Sequence, residues 1–403
     1  MLARIPLFVS LGGLCSCTAF LALLLISAVR FKSRKRPLAH NVPEHPPATL
    51  LKPLCGLEPC LESNIESFFR QDYPHFEIIF GARHECDPAL AVVHKVSHRY
   101  PDIAFAIVLS GEPDQPNAKV CSLEKMVAAA RFDYLVISDS DVHVEPNYLK
   151  EVIGPLLDPH VGLVTCLYRG VPTDGIWSRL EALGMSVEMT SGVLIADMLE
   201  GMKFALGPTM ATRRDVLDAI GGIGILADYC ADDYMLGKKV AESGRTVVLA
   251  SHAIDHVVLN RTFKDSLLHQ LRWMRSTRFS RPLGHLGSGL TFSMPFGLLG
   301  IAAGIVSHNR GLAAALLGAA VLNRLIMSVV SGWAVVNDKF ALRDCWLYPV
   351  RDFMGFCFWV ASFLGNTIVW RKQQYHLEKE GRMSPIATVS PSEARPVAVD
   401  SLA

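Results

Sequence analysis

From Leu7 to Val29 the chain runs without a charged side chain (LFVSLGGLCSCTAFLALLLISAV). As an α-helix this run is about 35 Å long, enough to cross the ~30 Å hydrocarbon core of a bilayer. A cleaved signal peptide is the competing reading. Against it, the apolar run is too long, and no small-residue cleavage site comes before the basic cluster Arg30, Lys32, Arg34, Lys35 and Arg36. Only Arg4 lies upstream, so the positive-inside rule puts the N-terminus outside and residue 30 onward in the cytosol.

The C-terminal third is apolar again. Residues 286–307, 311–336 and 346–369 are expected to form about three transmembrane helices. His308, Asn309 and Arg310 leave room only for a tight hairpin between the first two. Gly300 and Gly304 have the spacing of close helix packing. Ser293 and Pro295 leave open whether the first span crosses or lies at the interface. Trp346, Tyr348 and Trp370 bracket the last span as an aromatic belt would. Arg324, Arg351 and Asp352 lie inside spans, either as a lipid-headgroup site or with Arg351 and Asp352 neutralising each other. The whole chain is 50% hydrophobic and only 19% charged, which excludes a disordered protein. A net charge of +1 offers no field for nucleic acid. Ten cysteines form no C-x-x-C pair and read as free thiols in a reducing compartment.

Between these apolar ends the composition is that of a soluble domain. Candidate strands are 49–54, 76–81, 103–109, 134–139, 162–168 and 246–250, and candidate helices are 58–70, 88–99, 122–131 and 147–157. The alternation predicts an α/β domain with a mostly parallel sheet covered on both faces. The expected organisation is a transmembrane anchor with its basic flank (1–36), a Pro- and His-rich linker (37–48) and a cytosolic domain (49–282). A C-terminal membrane cluster (283–370) and a tail (371–403), disordered from about 384, complete it. Residues 176–206 have apolar positions near helical spacing, suited either to an interface that admits lipid or to packing on the sheet.

In such sheets ligands bind beyond the carboxyl ends of strands, which directs attention to three clusters. Asp139-Ser140-Asp141 follows the run YLVIS and sets two carboxylates at a strand end. A hard divalent cation takes one or two carboxylates plus substrate phosphates, although a solvated turn has the same sequence. Asp232 and Asp233 in Ala231–Tyr234 suit either a helix first turn or a general base. His269, Gln270, Arg272 and Trp273 precede the membrane, where forked donors and a flat wall could clamp a diphosphate or simply face anionic lipid. Lys52-Pro53, Asp87 and Asn117-Ala118-Lys119 are smaller pieces at strand ends or helix starts.

In this order, KPLCG (52–56), DP (87–88), PNAK (116–119), DSD (139–141), ADDY (231–234) and RW (272–273) resemble the family-2-type GT-A glycosyltransferases. The likeness is to the ceramide glucosyltransferase-like branch, and within it to bacterial hopanoid-biosynthesis glycosyltransferases. The stretch WRKQQYHLEKEGRM (370–383) is similar to that branch too. The resemblance implies a Rossmann-like nucleotide-sugar domain at the bacterial inner membrane, with its catalytic part cytoplasmic. It implies transfer of a hexose or N-acetylhexosamine from a UDP-sugar to a hopanoid- or ceramide-like lipid. It implies Asp233 as catalytic base with Asp232 beside it, and Asp141 with Asp139 holding Mg2+ or Mn2+. Donor binding falls to Lys52, Pro53, Asp87, Lys119, Asp139, His269, Gln270, Arg272 and Trp273. The family pattern has Gln or Arg where this chain has His269, so either His269 or Gln270 would fill that position. A processive polysaccharide synthase would need more membrane spans than these. A transporter would need paired hydropathy repeats, and a non-catalytic sugar-nucleotide binder would lack the base.

Overall fold

The structure, a computed structural model, describes residues 5–34, 45–260, 262–370 and 373–386. Most of the expected linker therefore lies outside the described residues, and Ala48 already begins a strand. In chain order the strands of the main sheet are β1 (Ala48–Pro53), β2 (Phe76–Ala82), β3 (Ala104–Leu109) and β4 (Tyr134–Ser138). They continue with β5 (Val142–His143), β6 (Val161–Pro172), β7 (Thr209–Arg213) and β8 (Thr246–Val258). They assemble in the order β3-β2-β1-β4-β7-β6-β8-β5. The pairings run β7 and the short β5 against the other six. The α/β class holds, with β7 an unforeseen reversed strand in the middle. Its sequence, TMATR, has no β-branched run. It becomes a strand because β4 and β6 pair with it on both sides.

Leu50, Leu51, Ile78, Ile79, Val136 and Ile137 are all buried, as expected for strands covered on both faces. Helices Leu61–Phe69, Pro88–Ser97, Ala118–Ala129 and Tyr148–Ile153 stand where periodicity places them, within a few residues. Asp87 and Asn117 cap two of them, each accepting from backbone N–H groups of the first turn.

Among the described residues, three helices are long and apolar enough to cross a membrane: Ile5–Ser33, Gly175–Glu200 and Arg310–Val335. The second is different in kind, because 67% of its apolar window is buried inside the protein. It lies so close to β6 that a Cβ on Gly170 would meet Ala182 Cα at 2.5 Å. Of the two readings of 176–206, packing on the sheet is the one this burial supports.

The expected hairpin forms at His308 and Asn309, with Asn309 capping Arg310–Val335. Gly300 and Gly304 sit against Leu316 and Ala313 across it, where a Cβ would clash. Residues 286–307 fall into two pieces, Pro282–Ser288 and Met294–Val306. The latter is about 20 Å long. Residues 346–369 give the helix Tyr348–Ser362 followed by strand β9 (Thr367–Trp370). The buried charges pair differently from the neighbour arrangement expected. Arg324 bonds Asp352 at 2.8 Å, and Arg351 reaches Glu188 at 3.0 Å. Adjacent helix residues project about 100° apart, so Arg351 and Asp352 each find a partner on another helix.

The tail also departs from expectation. Strands β9, β10 (Gln373–Leu377) and β11 (Met383–Pro385) form a small antiparallel sheet. Residues 384 and 385 are thus ordered by pairing with β10, whereas residues from 387 onward lie outside the described residues.

Candidate active site

One edge of the sheet gathers the polar residues singled out in the sequence. β4 ends at Ser138, and Asp139 follows. The reversed strand β7 begins at the same edge, with Ser138 paired to Thr209. Two helices, Ala118–Ala129 and Asp232–Glu242, start here and direct their N-terminal N–H groups toward it.

Lys119, in the first turn of its helix, links two of the clusters. Its Nζ lies 2.6 Å from Asp139 Oδ1 and 3.8 Å from Asp232 Oδ2. Burial alone would lower the Lys119 ammonium, but Asp139, Asp232 and Asp233 outweigh it and hold it above the ordinary lysine value. Asn117 is fully buried and positions both sides: it caps the Lys119 helix and donates to Tyr229 O at 2.9 Å and Asp232 Oδ1 at 3.3 Å. Lys52, at the end of β1, donates to Asp139 O at 2.6 Å, and its Nζ stands 3.6 Å from the Phe68 ring centroid. Burial pulls Lys52 down to about 7 despite Asp139, Asp141 and Glu58.

Asp233 is held for a different task. Its Oδ2 accepts from Gly207 N at 2.8 Å, and its Oδ1 from Tyr234 N at 2.8 Å. Burial, with the charge of Asp232 beside it, pushes Asp233 up to about 6, against Lys119 and the two backbone donors. A carboxylate poised there is suited to take a proton near neutral pH.

Asp141 pairs with His256, on β8, at 3.0 Å. Burial would raise the Asp141 carboxyl, but His256 and the two lysines hold it below the usual carboxylate range. His256 is held above the ordinary histidine value, Asp141 overcoming the effect of burial. Tyr168 packs edge-on to His256 with ring centroids 5.2 Å apart. Its phenol is raised first by burial and then by the charges of Asp233, Asp141 and Asp139, and its hydroxyl donates to Met189 Sδ at 2.6 Å. Neither His256 nor Tyr168 was singled out from the sequence. A lone His or Tyr inside a strand carries no motif, and only the β6–β8 pairing brings both to the carboxylates.

The fit to a divalent cation can be tested on these residues. Asp141 Oδ1 is buried with no hydrogen-bond partner among the described residues, an acceptor left open for a cation. No three His, Cys, Asp or Glu side chains converge as a ready-made cage among the described residues. Such a cation would draw its remaining ligands from diphosphate oxygens and water, as Mg2+ commonly does.

The remaining expected residues are distributed around this centre. Both Asp87 oxygens accept from Gly56 N, at 3.0 and 3.1 Å, tying the loop after β1 to the helix after β2. A surface cavity of about 610 Å3 opens beside it, lined in part by Cys86, Leu90 and His94. Pro53 ends β1 next to Lys52. His269 bonds Glu181 Oε1 at 2.7 Å and stacks at a tilt on Trp273, 4.3 Å between centroids. Gln270 is buried and donates to Ser266, so His269 and not Gln270 joins the Glu181–Trp273 group. Arg272 lies over Trp370, 5.4 Å from its centroid. The small C-terminal sheet supports this side. Cys230 N donates to Gly381 O at 3.0 Å, and Met383 N to Asp228 O at 2.7 Å, just before the Asp232–Asp233 turn.

Comparison with known proteins bears on this constellation. Residues 13–383 match the model of Glycosyl transferase family 21. The chain belongs to that family. Ceramide glucosyltransferase 1 of Caenorhabditis elegans is 26% identical over 404 residues, covering 97% of this chain and 84% of that protein. Ceramide glucosyltransferase 3 of the same organism is 23% identical, covering 90% and 80%. Among solved structures, a mannosyltransferase from Pyrobaculum calidifontis in complex with GDP-Man and Mn2+ gives a TM-score of 0.49 at 18% identity, covering 88% of this chain and 98% of that one. As a family 21 member this chain is a glycosyltransferase of the ceramide glucosyltransferase-like type, and the edge around Lys119 is its candidate active site.

Proposed function

We propose that this enzyme transfers a single hexose or N-acetylhexosamine from a UDP-sugar to the hydroxyl of a membrane lipid, with inversion. The acceptor is ceramide-like or hopanoid-like. The observation that carries the reading is Asp233, a carboxylate fixed by two backbone N–H donors and pushed up to about 6, beside Asp141, which is held below the usual carboxylate range. Asp233 takes the acceptor proton as the hydroxyl oxygen attacks the anomeric carbon, and the bond to the diphosphate breaks on the opposite face. Gly207 N and Tyr234 N fix the carboxylate for that role. Asp141 and Asp139 would hold Mg2+ or Mn2+, which when bound offsets the charge of the departing diphosphate. Lys119 and Arg272 add fixed positive charge on the donor side, and Lys52 adds a buried amine that donates to the Asp139 carbonyl. Asp87 and the adjoining cavity are assigned to the nucleotide, and the His269–Trp273 wall to the donor and its acceptor side.

The helices Ile5–Ser33 and Arg310–Val335 are placed in the bilayer, with the basic residues from Arg30 onward on the cytosolic side of a bacterial inner membrane. That geometry presents the site to lipid of the same leaflet. The test is Asp233→Asn in purified membranes with labelled UDP-glucose or UDP-N-acetylglucosamine, followed by mass spectrometry of extracted lipids. Loss of the single-sugar lipid product with donor binding retained is expected. Transfer at the wild-type rate would sink the base assignment, and a ladder of products would sink single transfer.

A further inference from the structure

A second cavity lies behind the catalytic carboxylates. Side chains alternate faces along a strand. The β6–β8 register sets Arg169 beside Asp255 and Gly170 beside His256. Tyr168 and His256 therefore face the active site, and Arg169 with Asp255 faces the reverse side. There a cavity of about 570 Å3 opens, lined by Phe31, Lys32, Arg34, Arg169, His252 and Trp333 among others. Three distant parts of the chain meet at it: the last turn of Ile5–Ser33, the β6–β8 ribbon, and the end of Arg310–Val335. The two helices are those placed in the bilayer, so the cavity stands where both leave it.

The wall has the chemistry of that depth. Lys32 is exposed and, among the described residues, has no acid partner. The guanidiniums are braced rather than free. Arg34 pairs with Asp197, and Arg169 pairs with Asp255, donates to Val336 O at 3.2 Å and reaches Glu145 at 3.5 Å. Asp197 and Asp255 stand outside the lining; Glu145, whose side chain is 57% exposed, is the acid on it. Lys32 and two ion-paired guanidiniums thus line an opening with one acid at its rim. Phe31 and Trp333 supply the apolar wall, and Trp333 is 45% exposed, as a tryptophan at headgroup level is. A phosphate attached to acyl chains meets both kinds of surface, and a free anion meets only one. Basic pockets between membrane helices on the cytosolic side hold such headgroups.

We propose that this cavity binds the phosphate headgroup of an anionic membrane phospholipid, at a site separate from that of the lipid acceptor. Its place on the reverse face excludes it as the reacting site. The proposal rests on the membrane placement of the two helices and not on the sugar or acceptor. A bound phospholipid would tie the N-terminal helix to the ribbon that carries Tyr168 and His256.

The experiment uses the full chain, reconstituted in vesicles of phosphatidylcholine with or without phosphatidylglycerol, then extracted in detergent for native mass spectrometry. Phosphatidylglycerol should be retained over phosphatidylcholine. Lys32→Glu should cut that preference at least about fivefold, the effect of one basic residue at an anionic surface. Lys32 is exposed on the last helical turn, and unchanged UDP binding verifies that the variant is folded. Trp333→Leu should weaken retention of either lipid by removing the apolar wall. Equal retention of both lipids, or wild-type preference in Lys32→Glu, overturns the proposal. So does release of the phospholipid by inorganic phosphate alone, which would identify a site for a soluble anion. The readout needs no glycosyl transfer, so its failure is distinct from failure of the proposed reaction.

Discussion

The pH dependence of transfer gives the sharpest test of the site. Asp233 moves from an ordinary 3.8 to about 6, chiefly through burial and next through Asp232, while Lys119 pulls the other way. A base works only when deprotonated, so activity should be present above this value and be lost as pH falls through it. With a value near 6, about nine-tenths of the enzyme carries the active carboxylate at pH 7 and about one-tenth at pH 5, a roughly tenfold fall in rate. An unperturbed aspartate would lose less than about a tenth of its activity over that interval. Asp141 is held below the usual carboxylate range and His256 above the usual histidine value, so neither supplies a limb at this position. The two neighbours then give opposite displacements. Asp232→Asn removes an upward push and should move the acid limb to lower pH. Lys119→Gln removes a downward pull and should move it higher. The assay is initial-rate transfer at saturating donor and fixed lipid acceptor across about pH 5 to 8, with donor binding followed at each pH. A profile flat to pH 5, or limbs moving in the same direction in both variants, would refute the assignment.

Other consequences can be checked separately. Asp141→Ala should abolish the gain in UDP-sugar affinity that Mn2+ or Mg2+ provides in calorimetry, and the same metal-dependent gain in the variant would remove its ligand role. Gly207→Ala would bring a Cβ to 3.0 Å from Asp233 Oδ2. The displaced carboxylate should lower the turnover rate by about tenfold or more at unchanged donor affinity, and a wild-type turnover rate would show that Gly207 does not position the base. Arg324→Ala leaves buried Asp352 without its partner, which should cost about 3–5 kcal/mol of stability. Thermal unfolding in detergent measures this, and an unmoved midpoint would count against a structural role for the pair.

What could be read in the chain was local. The charge-free run at 7–29 marks the N-terminal helix because length and apolarity suffice for that inference. The runs LLKP, EIIF and YLVIS mark strands buried on both faces, and Asp139, Asp141, Asp232 and Asp233 stand out as paired carboxylates at a strand end and a helix start, where ligands bind in such sheets. The ordering of 384 and 385 was not legible, because β11 is three residues that exist only through pairing with β10.

The sequence by itself determined an α/β domain between apolar ends and the acids at its chemical edge. The tertiary structure decided which charges surround those acids. Lys119 bridges Asp139 and Asp232 across residues far apart in the chain, and His256 neutralises Asp141 from a strand 115 positions later. It also chose Glu188 as the partner of Arg351 and inserted β7 so that Gly207 meets Asp233. The physical reason is common to all of these. Hydrophobic periodicity is written in neighbouring residues, whereas the protonation state of a carboxylate depends on burial and on charges that only folding brings within a few ångströms.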